Sequence, residues 1–313
     1  MEFLKLKREI DFMRLRNAAF VFSILIFLVS IAAVAVRGLN FGIDFTGGTL
    51  VEGGYQETVP LERIRDALAD GGFERSVVQY FGSSREILIR LPPQEGEANS
   101  ALLSDRIIET LKGASEQAFE VKRVEFVGPQ VGEELREDGG LALLFAFLGI
   151  LVYVAFRFEW RLSVGAIVAL LHDPVLIIGI FAVTQTEFDL TTLAALLAVI
   201  GYSINDTIVI YDRIREGFRK IRKGTPSQIV NTSINETLAR TIMTSGSTLL
   251  VVLALYFLGG SAINGFALVL LIGIVVGTYS SIYVASNLAL MLGLSRETLI
   301  PPEKKDEAVD QLP

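Results

Sequence analysis

The chain has no cysteine and a single histidine, His172, among its 313 residues. Without thiols it forms no disulfide and has neither a thiolate metal site nor a cysteine nucleophile. One histidine argues against a histidine-rich metal centre and against a Ser-His-Asp triad. Charge is also scarce. Asp, Glu, Lys and Arg make up only 20% of the residues, gathered in a few patches separated by long uncharged runs. The material between the patches is apolar, and hydrophobic residues reach 51% overall. Uncharged runs of about 18 residues or more point to membrane spans. The composition is that of a polytopic α-helical membrane protein with one sizeable water-soluble insert. The net charge of −7 carries little weight, because topology follows where Lys and Arg sit and not their sum with the acids.

Six candidate spans emerge, at 18–36, 140–156, 162–183, 190–211, 241–258 and 262–292. Lys5, Lys7, Arg8, Arg14 and Arg16 precede the first, and Arg157 and Arg161 join the second to the third. Arg213, Arg215, Arg219, Lys220, Arg222 and Lys223 lie between the fourth and fifth; Arg296, Lys304 and Lys305 come after the sixth. The opposite connections, 184–189 and 259–261, contain no Lys or Arg. Both termini are therefore expected on the cytoplasmic side, as a short segment 1–17 and a tail 296–313. Ala33-Val34-Ala35 fits a signal-peptide cleavage site, but the preceding stretch is long and holds Glu2, Glu9 and Asp11. An uncleaved first span is favoured.

Residues 37–139 form the insert, expected outside the cytoplasm. Its pattern reads strand 49–55, helix 60–70, strand 76–81, strand 86–91, helix 99–112 and strand 119–127. Gly82-Ser83-Ser84 is a hairpin signal, and the turn-rich stretch 92–97 leads to a helix cap at Ser100. The order βαββαβ is that of a ferredoxin-like split βαβ sandwich. It has no nucleotide loop, metal cluster or catalytic constellation, which leaves a contact domain.

Chemistry is carried by ionisable groups inside the spans. In "GYSINDTIVIYDRIRE", residues 201–216, Asp206 precedes Asp212 by six residues, roughly 9 Å inside the end of span four. Ser203, Asp206 and Thr207 share a face with Tyr202 close by, and such a stripe must face protein or water. A structural carboxylate and a proton site remain equally open on position alone. Arg240 opens span five at the same membrane face, so the two are expected at similar depth. Thr241, Thr244, Ser245 and Thr248 come next as a hydroxyl stripe. A carboxylate beside a guanidinium stays ionised, and loses that support when the contact breaks. Proton-coupled movement and a static ion pair both fit.

His172-Asp173-Pro174 lies deeper in span three, with a kink expected at Pro174. Histidine is the side-chain type that ordinarily changes charge near neutral pH, which makes His172 a candidate. Asp173 is the stronger of these two secondary candidates, because charge at that depth is costly. Gly273 and Gly277 form a GxxxG packing face. The basic residues 213–223 are read as a loop that sets topology and meets anionic lipid headgroups. In "FGIDFTGGT", residues 41–49, Gly47 and Gly48 supply backbone freedom while Asp44 and Thr46 cap turns. Alone, that stretch reads as a tight linker.

The stretch does not stand alone. "FGIDFTGGT", the βαββαβ insert, "LLHDP", "GYSINDTIVIYDRIRE" and "SINETLARTIMTS" occur in that order. Together they resemble the SecF branch of the SecD/SecF family, within the RND superfamily, over residues 10–295. The resemblance implies half of a pseudo-symmetric transporter in a bacterial inner membrane, with SecD as the other half. It implies a motor without catalytic chemistry or bound cofactor, with protons as the coupling ion. Its partners would be the SecYEG channel, YajC as an optional addition, and the translocating preprotein; no nucleic acid is implied. By position, Asp206 matches the proton-pathway aspartate and Arg240 its partner. Gly42, Asp44, Thr46, Gly47 and Gly48 match a signature for which the residues suggest only a structural role. Three rivals stand beside this reading: an RND exporter of small molecules, an intramembrane aspartyl protease using Asp173 and Asp206, and a passive scaffold for SecD.

Overall fold

A computed structural model describes residues 9–93, 100–115 and 117–299. Most of the 92–97 stretch, the Ser100 side chain, the basic residues before Glu9 and most of the 296–313 tail lie outside the described residues. A 3-10 turn (Phe12–Leu15) leads into helix α1 (Arg16–Arg37), then strand β1 (Asn40–Phe41) and the one-turn helix α2 (Ile43–Thr46). The insert then runs β2 (Gly48–Gly54), α3 (Leu61–Asp70), β3 (Val77–Phe81), β4 (Ser83–Leu91), α4 (Ser100–Gly113) and β5 (Glu120–Val127). The remaining long helices are α5 (Pro129–Arg157), α6 (Trp160–Thr184), α7 (Leu190–Lys220), α8 (Pro226–Leu258) and α9 (Asn264–Ser280), with β6 (Glu187–Phe188) between α6 and α7. A π-helical turn, Ser281–Ala285, joins α9 to α10 (Ser286–Met291), and α11 (Arg296–Leu299) closes the described chain.

Among the described residues, six helices are long and apolar enough to cross a membrane. They fall into two classes. The apolar windows of α6, α7 and the α9–α10 rod are 61, 56 and 50% buried, against 11% for α1, α5 and α8. Three helices thus form an inner layer, and three present apolar faces outward. Glycines set how closely the layers approach. A Cβ on Gly179 of α6 would lie 2.3 Å from Ser30 Cβ of α1, and one on Gly273 would lie 2.3 Å from the Val199 side chain. Gly277 faces Ser203 in the same way, so the GxxxG face of α9 packs on α7.

Several helices outrun the apolar stretches that mark them in sequence. Helix α5 begins at Pro129, not near Gly140, with Pro at its first turn and Gly128 as N-cap. Proline is pre-organised for that position, and the charged turns after it are helix formers. Helix α8 begins at Pro226 behind a capping box made by Thr225 and Gln228. The basic segment after Asp212 is not a loop as expected: α7 continues to Lys220, because Ile214 and Phe218 keep a buried stripe going. The expected Gly82-Ser83-Ser84 turn is tighter than three residues. Gly82, at φ +77°, alone separates β3 from β4.

The insert's sheet has the order β3-β4-β2-β5 with every neighbouring pair antiparallel. Val51, Ile87 and Ile89 on one face pack against Ile64 and Leu68 of α3 and Ile107 and Leu111 of α4. A second, two-stranded element went unanticipated: β1 pairs in parallel with β6, joining the entry to the insert with the α6–α7 connection.

Replacing Gly179 by Val forces α1 off α6 and is expected to cost about 1–3 kcal/mol. Gly149→Val, where nothing lies within 4 Å, is the control. Thermal inactivation in detergent, with size-exclusion of the surviving monodisperse fraction, checks the difference between the two.

Candidate functional site

Two buried carboxylates sit among the inner helices, each held by different groups. Asp173, on α6, is 1% exposed. Its Oδ2 accepts hydrogen bonds from Ser203 Oγ of α7 at 2.5 Å and from Ser280 Oγ of α9 at 2.8 Å. Its Oδ1 faces His172 Nδ1 at 2.9 Å. Three helices therefore meet on one carboxylate. His172 is buried as well, stacked on Phe27 of α1 with ring centroids 6.3 Å apart, and its Nε2 has no hydrogen-bond partner among the described residues. Pro174 comes directly after, inside α6; it has no N–H to donate, which loosens the helix beside the carboxylate.

Ser280 is the last residue of α9, and the π-helical turn begins immediately after it. Such turns carry one extra residue and shift the register of the next helical turn. Here the shift lets consecutive hydroxyls serve different partners: Ser280 reaches Asp173, while Ser281 Oγ pairs with Thr207 Oγ1 of α7 at 2.7 Å.

Asp206 lies on the side of α7 that meets α8 and α9 and is 3% exposed. Its support is thinner. Thr278 Oγ1 donates to its Oδ2 at 3.5 Å; Ser245 of α8 lies 3.3 Å from Thr278 Oγ1, and Tyr202 donates to Ser245 at 3.2 Å. Arg240 does not pair with it. Among the described residues no ion pair joins the two and Arg240 is exposed, yet it lies near enough for its charge to act on the Asp206 carboxylate. The expected hydroxyl stripe divides accordingly. Thr241 and Ser245 turn inward, whereas Thr244 bonds back to the Arg240 carbonyl at 3.1 Å on the exposed side.

Sequence reasoning singled out Asp206, Asp173, His172 and Arg240. It missed Thr278, Ser280 and Ser281, the donors that make the site. Their signal was present in "TYSSIYVAS", residues 278–286, a cluster of hydroxyls inside an otherwise apolar run.

The "FGIDFTGGT" stretch is a joint. Asp44 Oδ2 accepts the Leu190 N–H at 2.9 Å and Asp189 Oδ1 accepts that of Thr192 at 2.7 Å, so both carboxylates cap the start of α7. Anions there are favoured by the free N–H groups and the helix dipole. Thr46 donates to the Gly42 carbonyl at 3.1 Å and closes the single turn of α2. Gly42 leaves room for Glu187, whose Oε1 would lie 3.0 Å from an added Cβ. Gly47 and Gly48 adopt φ +68° and +125°, and a Cβ on Gly48 would sit 2.2 Å from the Leu91 carbonyl oxygen. Arg90 of β4 completes the joint, reaching Glu187 at 3.3 Å and Asn40 Oδ1 at 3.1 Å.

Residues 107–295 match the family model for the protein export membrane protein SecD/SecF, C-terminal, and residues 32–58 match the SecD/SecF GG motif. The protein translocase subunit SecF of Vibrio alginolyticus is 52% identical over 100% of this chain and 99% of its own. This chain belongs to the SecF family. The SecF of Escherichia coli O157:H7 is 48% identical, over 97% of this chain and 94% of that one. Among solved structures, SecDF from Thermus, a translocon-associated membrane protein, covers 92% of this chain at 41% identity with a TM-score of 0.82. SecDF in a super-membrane-facing form gives a TM-score of 0.68 at the same identity and coverage. The matched regions of those two structures are therefore arranged differently. This SecF-family chain spans 39% of the length of either solved chain. The match to the GG motif takes in the stretch 41–49, including Gly47 and Gly48.

At the joint, burial pushes the Glu187 carboxyl above its ordinary range; Asp189, Asp44 and Glu125 add to the shift and Arg90 opposes it. The folded state keeps this proton over a window, just above the ordinary carboxylate range, where the unfolded chain has already lost it. Stability from this group therefore falls as pH rises through that window. Thermal melts at stepped pH are expected to show higher stability on the acid side of the window. Glu187→Gln should flatten that component, and an identical pH profile in the variant would contradict the assignment.

Proposed function

We propose that this chain is the SecF half of a proton-driven export motor. It works with SecD in a bacterial inner membrane, with both termini cytoplasmic and the insert at 37–139 outside. There it assists preprotein passage through the SecYEG channel, with YajC as an optional addition. Protons are its coupling ion and it takes no bound cofactor. The observation that carries the reading is the uneven support of two buried carboxylates: Asp173 is served at close range by Ser203, Ser280 and His172, whereas Asp206 has a long bond from Thr278 and the Ser245 hydroxyl beside it. A carboxylate so poorly served inside a membrane bundle gains from taking a proton. Protonation removes the demand for donors and frees Thr278 and Ser245 to re-pair, which biases α7 against α8 and α9. A proton moving down about 150 mV yields roughly 3.5 kcal/mol, at about 2.3 kcal/mol per 100 mV. That matches the few kcal/mol separating typical conformers.

The outward position of Arg240 supports SecD as the other half. Arg240 and Thr244 lie exposed on α8 amid Met243, Leu250 and Val251, themselves 58, 71 and 62% exposed. A guanidinium on a membrane helix is costly against lipid and is met by a carboxylate or a water-lined cavity. A second membrane subunit supplying an acid at that depth satisfies it. In this reading Arg240 acts on proton movement at the subunit boundary. The insert is assigned as a ferredoxin-like contact domain, supported by its βαββαβ order and by both helices packing on one face of the sheet.

A protease reading is disfavoured by the separate hydrogen-bond partners of Asp173 and Asp206, since a catalytic dyad shares a proton. The scaffold reading differs in one outcome. In cells whose only SecF is this chain paired with its cognate SecD, Asp206→Asn is expected to accumulate precursor in a pulse-chase. Membrane level and SecD co-purification should stay at wild-type values. Export at the wild-type rate would leave a scaffold.

A further inference from the structure

The stretch that leads into α1 is fastened to a helix far along the chain. Asn231 and Asn235 stand one turn apart on α8, and both side-chain amides hold the main chain of residues 10–13. Asn235 Oδ1 accepts the Ile10 N–H at 2.9 Å, and its Nδ2 donates to the Ile10 carbonyl at 2.8 Å. Asn231 Nδ2 donates to the same carbonyl at 3.1 Å, and its Oδ1 accepts the Met13 N–H at 3.2 Å. A further bond, from Asn235 Nδ2 to the Asn231 carbonyl at 2.9 Å, braces the pair. Beneath this strap Met13 joins Val230 and Ile234 in one apolar cluster. Chain ends are usually loose unless tied down, and this one is tied to two successive turns of a single helix.

The tie falls where α8 is held. Among the described residues, six of the eight buried on α8 lie between Ile229 and Leu238. The part beyond, which carries Arg240 and Ser245, is gripped lightly. A helix is stiff about its own axis, so the clasp on the first part sets the rotation of the rest. That clasp has two sides. Helix α7 supplies one: Ser233 sits opposite Gly217, where a Cβ would lie 2.6 Å from its Oγ, and Arg213 pairs with Glu236 at 2.5 Å. The strap supplies the other. At about 100° per residue, Ser233 lies roughly 160° round the helix from Asn231 and from Asn235. Arg240 lies about 140° from Asn235 in one direction and Ser245 about 80° in the other.

We propose that Asn231 and Asn235 are positioning residues. Clamped on the strap, they fix the rotation of α8 that turns Ser245 toward Thr278 and Asp206 and keeps Arg240 exposed. The proposal rests on the reading of Asp206 as the proton site. Rotating α8 by one residue's angle, about 100°, would carry Ser245 off Thr278, from which it now lies 3.3 Å. It would also move the Arg240 charge relative to the carboxylate on which it acts.

The test uses this chain, which has no cysteine of its own, assembled in membranes with a cysteine-free SecD. Ser245→Cys and Thr278→Cys are introduced together and oxidised, and the joined peptides are quantified by mass spectrometry. Asn231→Ala with Asn235→Ala should lower the disulfide yield severalfold. Ile10→Pro removes the N–H that Asn235 accepts, at a residue 43% exposed, because proline has no backbone donor. It should lower the yield as much, and it carries the comparison where the asparagine variant fails to accumulate. All three changes together should do no more than either set alone, since they cut the same contact. Unchanged yields, or losses that multiply, overturn the strap as the setting of α8. Without the cysteines, the strap variants are expected to slow export severalfold in a pulse-chase and to shift its dependence on pH, at wild-type membrane level and SecD co-purification. A lowered disulfide yield with wild-type export and pH profile overturns the positioning role. Normal export by Asp206→Asn removes the export reading separately and leaves the disulfide result standing.

Discussion

A carboxylate buried between membrane helices has to be given hydrogen-bond donors or a proton, and the packing of this bundle is arranged around that demand. Asp173 draws Ser203 of α7 and Ser280 of α9 onto α6. These are short side chains, so the helices must approach closely, and Gly277 across from Ser203 permits it. The π-helical turn after Ser280 then re-aims Ser281 toward Thr207. Replacing both hydroxyls with apolar groups would leave Asp173 Oδ2 buried without these donors, a cost of about 1–3 kcal/mol. The inner layer of α6, α7 and α9 is built around one side chain.

Helix α7 connects that layer to the insert. Its middle carries Ser203, Asp206 and Thr207, and its first turn is capped by Asp189 and by Asp44 of the glycine-rich joint. Helix α7 is thus tied directly to α2, with strand β2 beyond it. The joint has little slack. Gly47 and Gly48 occupy backbone conformations that a Cβ would strain, pressed against Pro129 and Leu91.

Much of this was legible beforehand, because the signals are local. Apolar run length marks the membrane helices, and alternation with turn residues marks the strands of the insert to within a few residues. Charge inside a span marks Asp206 and Asp173. What the sequence hides is pairing across distance. That Arg240 turns outward depends on the rotation of α8, which spacing alone cannot set. The donors Thr278 and Ser280 come from a helix far along the chain, and a scan for titratable groups passes over hydroxyls. The β1–β6 pair is two residues long on each side, too short for periodicity to register. Helices α5, α7 and α8 continue past their apolar stretches on caps and amphipathic turns, which a search for uncharged runs stops short of.

The central claim is that Asp206 changes its protonation state while the bundle changes shape. Infrared difference spectroscopy on the assembled membrane complex, stepped in pH, reads protonated carboxyl groups in low-dielectric surroundings directly. The account predicts a carboxylic C=O band that appears as pH falls, disappears in Asp206→Asn and shifts when Thr278 is replaced by Val. A spectrum unchanged by Asp206→Asn would contradict it.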